Sequence, residues 1–397
     1  MESLNPVSIN PSLLSWAREE SGYAMENIAR RINVKREKVA AWERGDLTPT
    51  FRQLDILAKY LHRPLSVFFL PQPPEIPPLS AEYRRLPGII PGHESPELRL
   101  ALRQMLTRRE NMLNLLGELD HPIQKFTMQT RLSEKPEDVG IRLREVLGIS
   151  AKTQLGWNDS YQAWNGWRAS VESLGVLVFQ FSKVDLVEAR GLTLLRSPLP
   201  VAAVNAKEIP ESRIYTLIHE VVHLMLAFGR EEKPALQETR TEAEWHKVER
   251  FAESTTSHVL FPKTVLREVV LNVRLGAKHF GIDDVRTIAR KFKLTPLATA
   301  TRLYESGYMN REQYERWVKV WNKYVATLPK RADGFATPVQ MTIGRAGRPF
   351  VQVVLEAFHA NRITTVDASR YLNLKYEHFG KLQETLIKGM FEAQIHE

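Results

Sequence analysis

Tyr215-Thr-Leu-Ile-His-Glu-Val-Val-His-Leu224 is the stretch on which the reading of the chain turns. It lies in a run, Ile214 to Phe228, whose apolar residues recur at helical spacing. His219 and His223 stand four residues apart, so a helix puts both on one face, one turn apart and close enough for one cation. Glu220 follows the first histidine, where its carboxylate can reach water activated by a metal and take its proton. The neighbours Leu217, Ile218, Val221, Val222 and Leu224 are apolar, so the helix is expected to be buried. Two imidazoles and a carboxylate are costly in a buried helix unless they bind something. The bland alternative is a helix with two exposed histidines.

A catalytic zinc takes about three protein ligands and a water, so one ligand is missing. The 397-residue chain has no cysteine, which excludes disulfides, Cys-ligated zinc, iron–sulfur clusters and cysteine nucleophiles. Any metal must therefore rest on His, Asp and Glu. The next strongly helical segment, Glu242 to Leu260, offers His246, Glu249 and Glu253. Their i, i+3, i+7 spacing places all three on one face. Each is a candidate third ligand, and Glu253 or His246 is otherwise expected to support a ligand from behind. The bland alternative for this trio is a solvated charged face.

Outward from this pair the chain divides. Residues 1–70 read as short amphipathic helices: Pro11–Ser21, Ala24–Ile32, Lys35–Arg44, Thr50–Leu61 and a fifth starting at Pro64. The second and third, joined by Asn33-Val34, have the rhythm of a helix-turn-helix. In that motif the third-helix N-terminus enters the major groove, so Lys35, Arg36 and Lys38 are the candidate DNA contacts. The alternative is a helical bundle serving only docking or dimerisation. Proline then dominates 71–96, read as a linker. Residues 97–262 contain the metal motif and short β-rich segments at Leu174–Phe181, Arg190–Leu195 and Val201–Asn205. Residues 263–328 are helical and again resemble a helix-turn-helix. A second linker is expected over 329–342 and a C-terminal helical domain over 343–397. The predicted fold class is multidomain and mainly α: a helix-turn-helix bundle, a central α+β core with a small β-sheet, and a helical extension.

Two resemblances sharpen this. Trp42-Glu-Arg-Gly45 with Pro49-Thr-Phe-Arg-Gln-Leu54 resembles the Xre-type, repressor-like helix-turn-helix. The larger pattern resembles the ImmA/IrrE-type zincin metallopeptidases, in the long form with an Xre-like domain in front. It is carried by Arg63-Pro-Leu-Ser-Val-Phe-Phe-Leu-Pro71, Leu174-Gly-Val-Leu-Val178, Val204-Asn205, Tyr215–Leu224, and Val248-Glu-Arg-Phe-Ala252 with Val259-Leu-Phe-Pro262. The resemblance implies a zinc endopeptidase with Zn2+ on His219, His223 and Glu249 and with Glu220 as general base. It implies a protein substrate, an Xre-type repressor whose cleavage derepresses stress, mobile-element or defence genes. The chain departs from the family at Val222, where a small residue is usual, and at Glu253, where asparagine is usual. Tyr215, His258 and Arg190 are candidates to stabilise an oxyanion, each more readily explained structurally. His62, His93 and His121 read as surface histidines.

Lys plus Arg number 55 and Asp plus Glu 46, a net charge of +9 that is scattered apart from a small cluster at Arg30–Lys38. Such a charge suits a DNA-docking module without requiring one. No apolar run approaches a membrane span, and the N-terminus lacks a basic-then-apolar signal, so a cytoplasmic protein is expected. Expected partners are the protein substrate, double-stranded DNA and, as an open option, a second copy of the chain. The rival reading is a DNA-binding regulator with a structural or sensory metal site and no proteolysis.

Overall fold

The computed structural model describes residues 9–273, 279–328 and 336–394. The chain forms two compact units. The first gathers the chain up to Ala81 together with Arg85–Leu106, and the second takes Glu82–Arg84 and everything from Thr107 onward.

In the first unit, α1 (Pro11–Glu20), α2 (Met25–Arg31), α3 (Arg36–Arg44) and α4 (Phe51–Tyr60) surround one core. Asn10 caps α1 through its side chain, and Thr50 caps α4 in a reciprocal pair with Gln53. Gly45 ends α3 at φ 83°, a left-handed conformation in which a side chain would be strained. Leu13, Leu14, Ile28, Val39, Trp42, Leu54, Leu57 and Phe68 fill the interior. The expected fifth helix is a 3-10 turn over Leu65–Phe69. It keeps Phe68 buried but is too short to propagate as an α-helix.

The stretch over 71–96 departs from a plain linker. Glu82, Tyr83 and Arg84 are buried and pair with backbone of the second unit. Three residues of β-pairing among prolines give no periodic signal, which is why the sequence reading passes over them.

After α5 (Pro96–Glu118), the second unit proceeds through α6 (Pro136–Leu147), α7 (Ala151–Gly156) and α8 (Ser160–Glu172). Three buried strands follow: β1 (Leu177–Phe181), β2 (Gly191–Leu194) and β3 (Val201–Asn205). The sheet order is β1-β3-β2, with β3 central, parallel to β1 and antiparallel to β2, so β2 has an outer edge. Next come α9 (Pro210–Phe228) and α10 (Glu242–Leu260). Proline at the start and apolar residues around most of its circumference make α9 a central, buried helix. It packs against α8, α10 and the sheet. Trp164, Trp167, Val171, Val204, Leu217, Val221, Trp245 and Val248 belong to the shared core. The β segments and both helices thus fall where the sequence reading puts them, to within a few residues at each end.

Helices α11 (Lys263–Val273), α12 (Ile282–Phe292), α13 (Pro296–Glu305) and α14 (Arg311–Thr327) continue the unit. The expected second linker over 329–342 falls partly outside the described residues. Its end is helical instead, because α15 (Pro338–Ala346) starts within it, with Thr337 and Gln340 forming a capping box and Pro338 in the first turn. Helices α16 (Arg348–His359), α17 (Thr365–Leu372) and α18 (Phe379–Gln394) follow. Among the described residues no helix is long and apolar enough to cross a membrane.

Candidate metal centre

Helix α9 carries His219, Glu220 and His223 on its inner side, and α10 crosses it so that Glu249 meets both histidines. His219 Nε2 lies 3.0 Å from His223 Nε2 and 3.3 Å from Glu249 Oε2, and His223 Nε2 lies 3.7 Å from that same oxygen. Bonds of about 2.0–2.1 Å in a tetrahedron put ligand atoms about 3.3 Å apart, so the three atoms stand at the spacing one zinc ion requires. Of the three candidate third ligands, the structure brings Glu249 into the cluster. Glu253 and His246 are exposed and stand outside it.

Support for the ligands is unevenly visible in the sequence. His223 Nδ1 hydrogen bonds Glu232 Oε1 at 2.5 Å, with both side chains fully buried. A carboxylate behind a histidine fixes the tautomer whose Nε2 lone pair faces outward to a metal. Glu232 lies in the connection between α9 and α10, between Glu220 and Glu249 in sequence and outside both helices, and nothing in its spacing marks it. Glu249 divides its carboxylate. Oε2 faces the histidines, and Oε1 accepts from Arg84 Nη1 at 3.2 Å.

Arg84 is the other residue that sequence reasoning passes over. Its guanidinium donates to Glu220 from Nε at 3.1 Å and from Nη2 at 3.0 Å, a two-pronged pair almost sealed from solvent. Thr193 Oγ1 on β2 also donates to Glu220 Oε2. Gly191 lets the carboxylate sit against the strand: a Cβ there would come within 2.4 Å of Glu220 Oε1. Glu220 is therefore held between α9, β2 and Arg84.

The electrostatics follow from this packing. Burial alone would raise the Glu220 carboxyl, but the Arg84 charge and its hydrogen bonds hold it below the usual range. Burial is likewise overcome at Glu249, where Arg84 and the two histidines hold the carboxyl far below ordinary values. Burial and Arg84 both push His223 down, yet Glu232 and Glu249 prevail and the imidazole is pushed up to about 9. Three carboxylates, Glu220, Glu232 and Glu249, thus face a single guanidinium around two imidazoles. A divalent cation would balance that surplus without any proton on His223, and His219 and His223 Nε2 at 3.0 Å need either a proton or a cation between them. The donor set and its charge both fit zinc.

All three oxyanion candidates have partners of their own. Arg190 pairs with Glu208 at 3.0 Å, and His258 Nδ1 bonds the Ser254 carbonyl at 2.8 Å. Tyr215 donates to the Glu253 carbonyl at 3.4 Å, and loss of hydration raises its phenol. Loss of hydration, with Glu249 and Glu305 nearby, also raises Glu253. His121 pairs with Glu356 at 2.7 Å on the surface.

In the first unit, Lys35 immediately precedes α3, and Lys35, Arg36 and Lys38 are all exposed at its start. Arg36 pairs with Glu26 at 2.6 Å, and Lys38 lies 5.9 Å from the Trp42 ring. The buried face, Val39, Ala41 and Trp42, leaves this N-terminal end outward.

The first unit contains a helix-turn-helix domain, the type used by DNA-binding regulators. The helix-turn-helix family model matches residues 14–68. A comparison with curated proteins gives no match.

The raised His223 has a direct consequence for metal-free protein. A group raised on folding contributes stability that is complete below its unfolded pKa and disappears as pH rises through the folded one. After chelation, the urea midpoint should therefore fall as pH climbs from about 6.5 through about 9. With zinc bound, His223 carries no such proton and the fall should vanish. Equal profiles with and without zinc would show that His223 is not at a metal.

Proposed function

We propose that the chain is a zinc-dependent endopeptidase fused to a DNA-binding helix-turn-helix domain. The observation that carries this is the convergence of His219 Nε2, His223 Nε2 and Glu249 Oε2 beside a buried glutamate, in a pocket with surplus negative charge. Zinc bound there would act as a Lewis acid, polarising a peptide carbonyl and acidifying water.

The chain's own groups supply the rest. Glu232 holds His223 in the ligand tautomer, while Arg84 occupies only the Glu249 oxygen that faces away from the histidines. Glu220 is the one carboxylate in the cluster that is not behind or among the proposed ligands. It is the group to take a proton from water at a carboxylate oxygen and hand it to the leaving amine. Release from Arg84 raises its basicity toward what that task requires. From the ImmA/IrrE resemblance, the proposed substrate is an Xre-type repressor. The helix-turn-helix unit brings the enzyme to DNA.

A second reading has its own support. Both Glu220 oxygens are engaged by Arg84 and Thr193, as in a site that holds a metal only for structure. On that reading the protein is a DNA-binding regulator without proteolysis.

Glu220→Gln separates the two. The proposal expects full zinc content and loss of repressor cleavage by at least about a hundredfold. Unchanged cleavage by this variant would refute the assigned base. The DNA-binding part is tested independently: Lys35→Ala and Lys38→Ala should weaken operator binding and flatten its salt dependence by about one unit of slope per lost phosphate contact. Unaltered affinity and slope in gel-shift titrations would place the DNA interface elsewhere.

A further inference from the structure

Glu82, Tyr83 and Arg84 behave as a strand inserted beside the metal centre. Arg84 N–H donates to the Thr193 carbonyl at 3.2 Å, and Leu195 N–H donates to the Glu82 carbonyl at 3.2 Å. Tyr83 forms an antiparallel bridge with Leu194. The segment is thereby added to the outer edge of β2. On its other side, Ala235 N–H donates to the Tyr83 carbonyl at 2.8 Å, and Arg84 bridges Pro234. The three residues thus lie in a groove whose walls are β2 and the Pro234–Ala235 backbone. Glu220 and Glu249 receive the Arg84 side chain.

We infer that this groove is a channel for an extended polypeptide, and that Glu82–Arg84 is an intramolecular occupant that keeps the site latent. The inference rests on the peptidase reading and adds a substrate conformation and a form of regulation to it. Three features support it. The wall contacts are made by main-chain groups, which any extended peptide can supply, as in strand addition to a sheet edge. The occupant's guanidinium takes both oxygens of the one carboxylate assigned to move a proton, so a productive peptide and Arg84 compete for the same place. The residues on either side, up to Ala81 and from Arg85 to Leu106, cluster with the other unit, so the occupant is a three-residue strap and not part of a continuous element. Glu82 anchors one end of it through a two-pronged pair with Arg196.

The test uses zinc-loaded full-length protein and an extended tripeptide hydroxamate, with the same tripeptide acid as control. Trypsin cleavage after Arg84 is followed by mass spectrometry, and hydroxamate binding by fluorescence anisotropy. Displacement of the strap predicts slow nicking after Arg84 in zinc-loaded protein, accelerated at least about tenfold when the hydroxamate binds. The Arg84→Gln variant should bind the hydroxamate at least about tenfold more tightly than the parent chain. Hydroxamate binding that leaves Arg84 equally protected overturns the inference. So does equal affinity, or no binding, in parent and Arg84→Gln proteins that both carry zinc. If instead neither protein retains zinc, the metal reading itself fails and the latency inference falls with it. If folding of Arg84→Gln is impaired, the protection assay on the unaltered chain still decides.

Discussion

Surplus negative charge buried against α9 is the constraint that the second unit is built around. Glu220, Glu232 and Glu249 are held in or near the interior with one guanidinium among them. Isolated ionised carboxylates are not tolerated in such surroundings without partners. The protein meets the demand partly with Arg84, partly with hydrogen bonds from Thr193 and His223, and leaves a gap between three converging donor atoms. The gap has the shape and the charge that a divalent cation would match.

The surrounding fold explains how such a cluster is held. α9 is apolar around most of its surface and is covered by α8, α10 and the sheet, which fixes the two histidines without loop mobility. α10 crosses at the point where Glu249 can reach them. β2 brings a glycine and a threonine to the Glu220 carboxylate, so its position is set by strand geometry as well as by its own helix. The helix-turn-helix unit has a separate core around Trp42 and presents the start of α3 outward. A regulator domain and a candidate hydrolytic centre are therefore carried by one chain, each with its own packing.

Legibility followed the range of the signal. The i, i+4 histidines, the buried helix around them and the capped helix bearing Glu249 are local patterns, and each appears where its residues place it. The choice of Glu249 over Glu253 and His246 needs a crossing geometry that one helix's periodicity does not contain: its central place on the face favours it, the other two stay open, and the ImmA/IrrE resemblance adds weight to it. Arg84 is silent because its partner is remote in sequence, meeting Glu220 across 136 positions, and Glu232 because it sits in a connection where no periodicity ties it to His223 nine residues before. The strap over Glu82–Arg84 was hidden for a related reason. Its structure comes entirely from edges supplied by other segments, while its own composition, rich in proline nearby, reads as extended linker. At Pro338 the composition reads as the end of a linker, whereas proline there opens a helix, since its fixed φ and missing N–H suit the first turn.

The central claim is that His219, His223 and Glu249 bind one zinc ion. Elemental analysis of purified full-length protein, combined with X-ray absorption at the zinc edge, tests it most directly. The account predicts about one zinc per chain in an all nitrogen and oxygen shell with two imidazoles, lost when His219 and His223 are both replaced by alanine. Zinc content near background, or a full complement retained by the double variant, would contradict it.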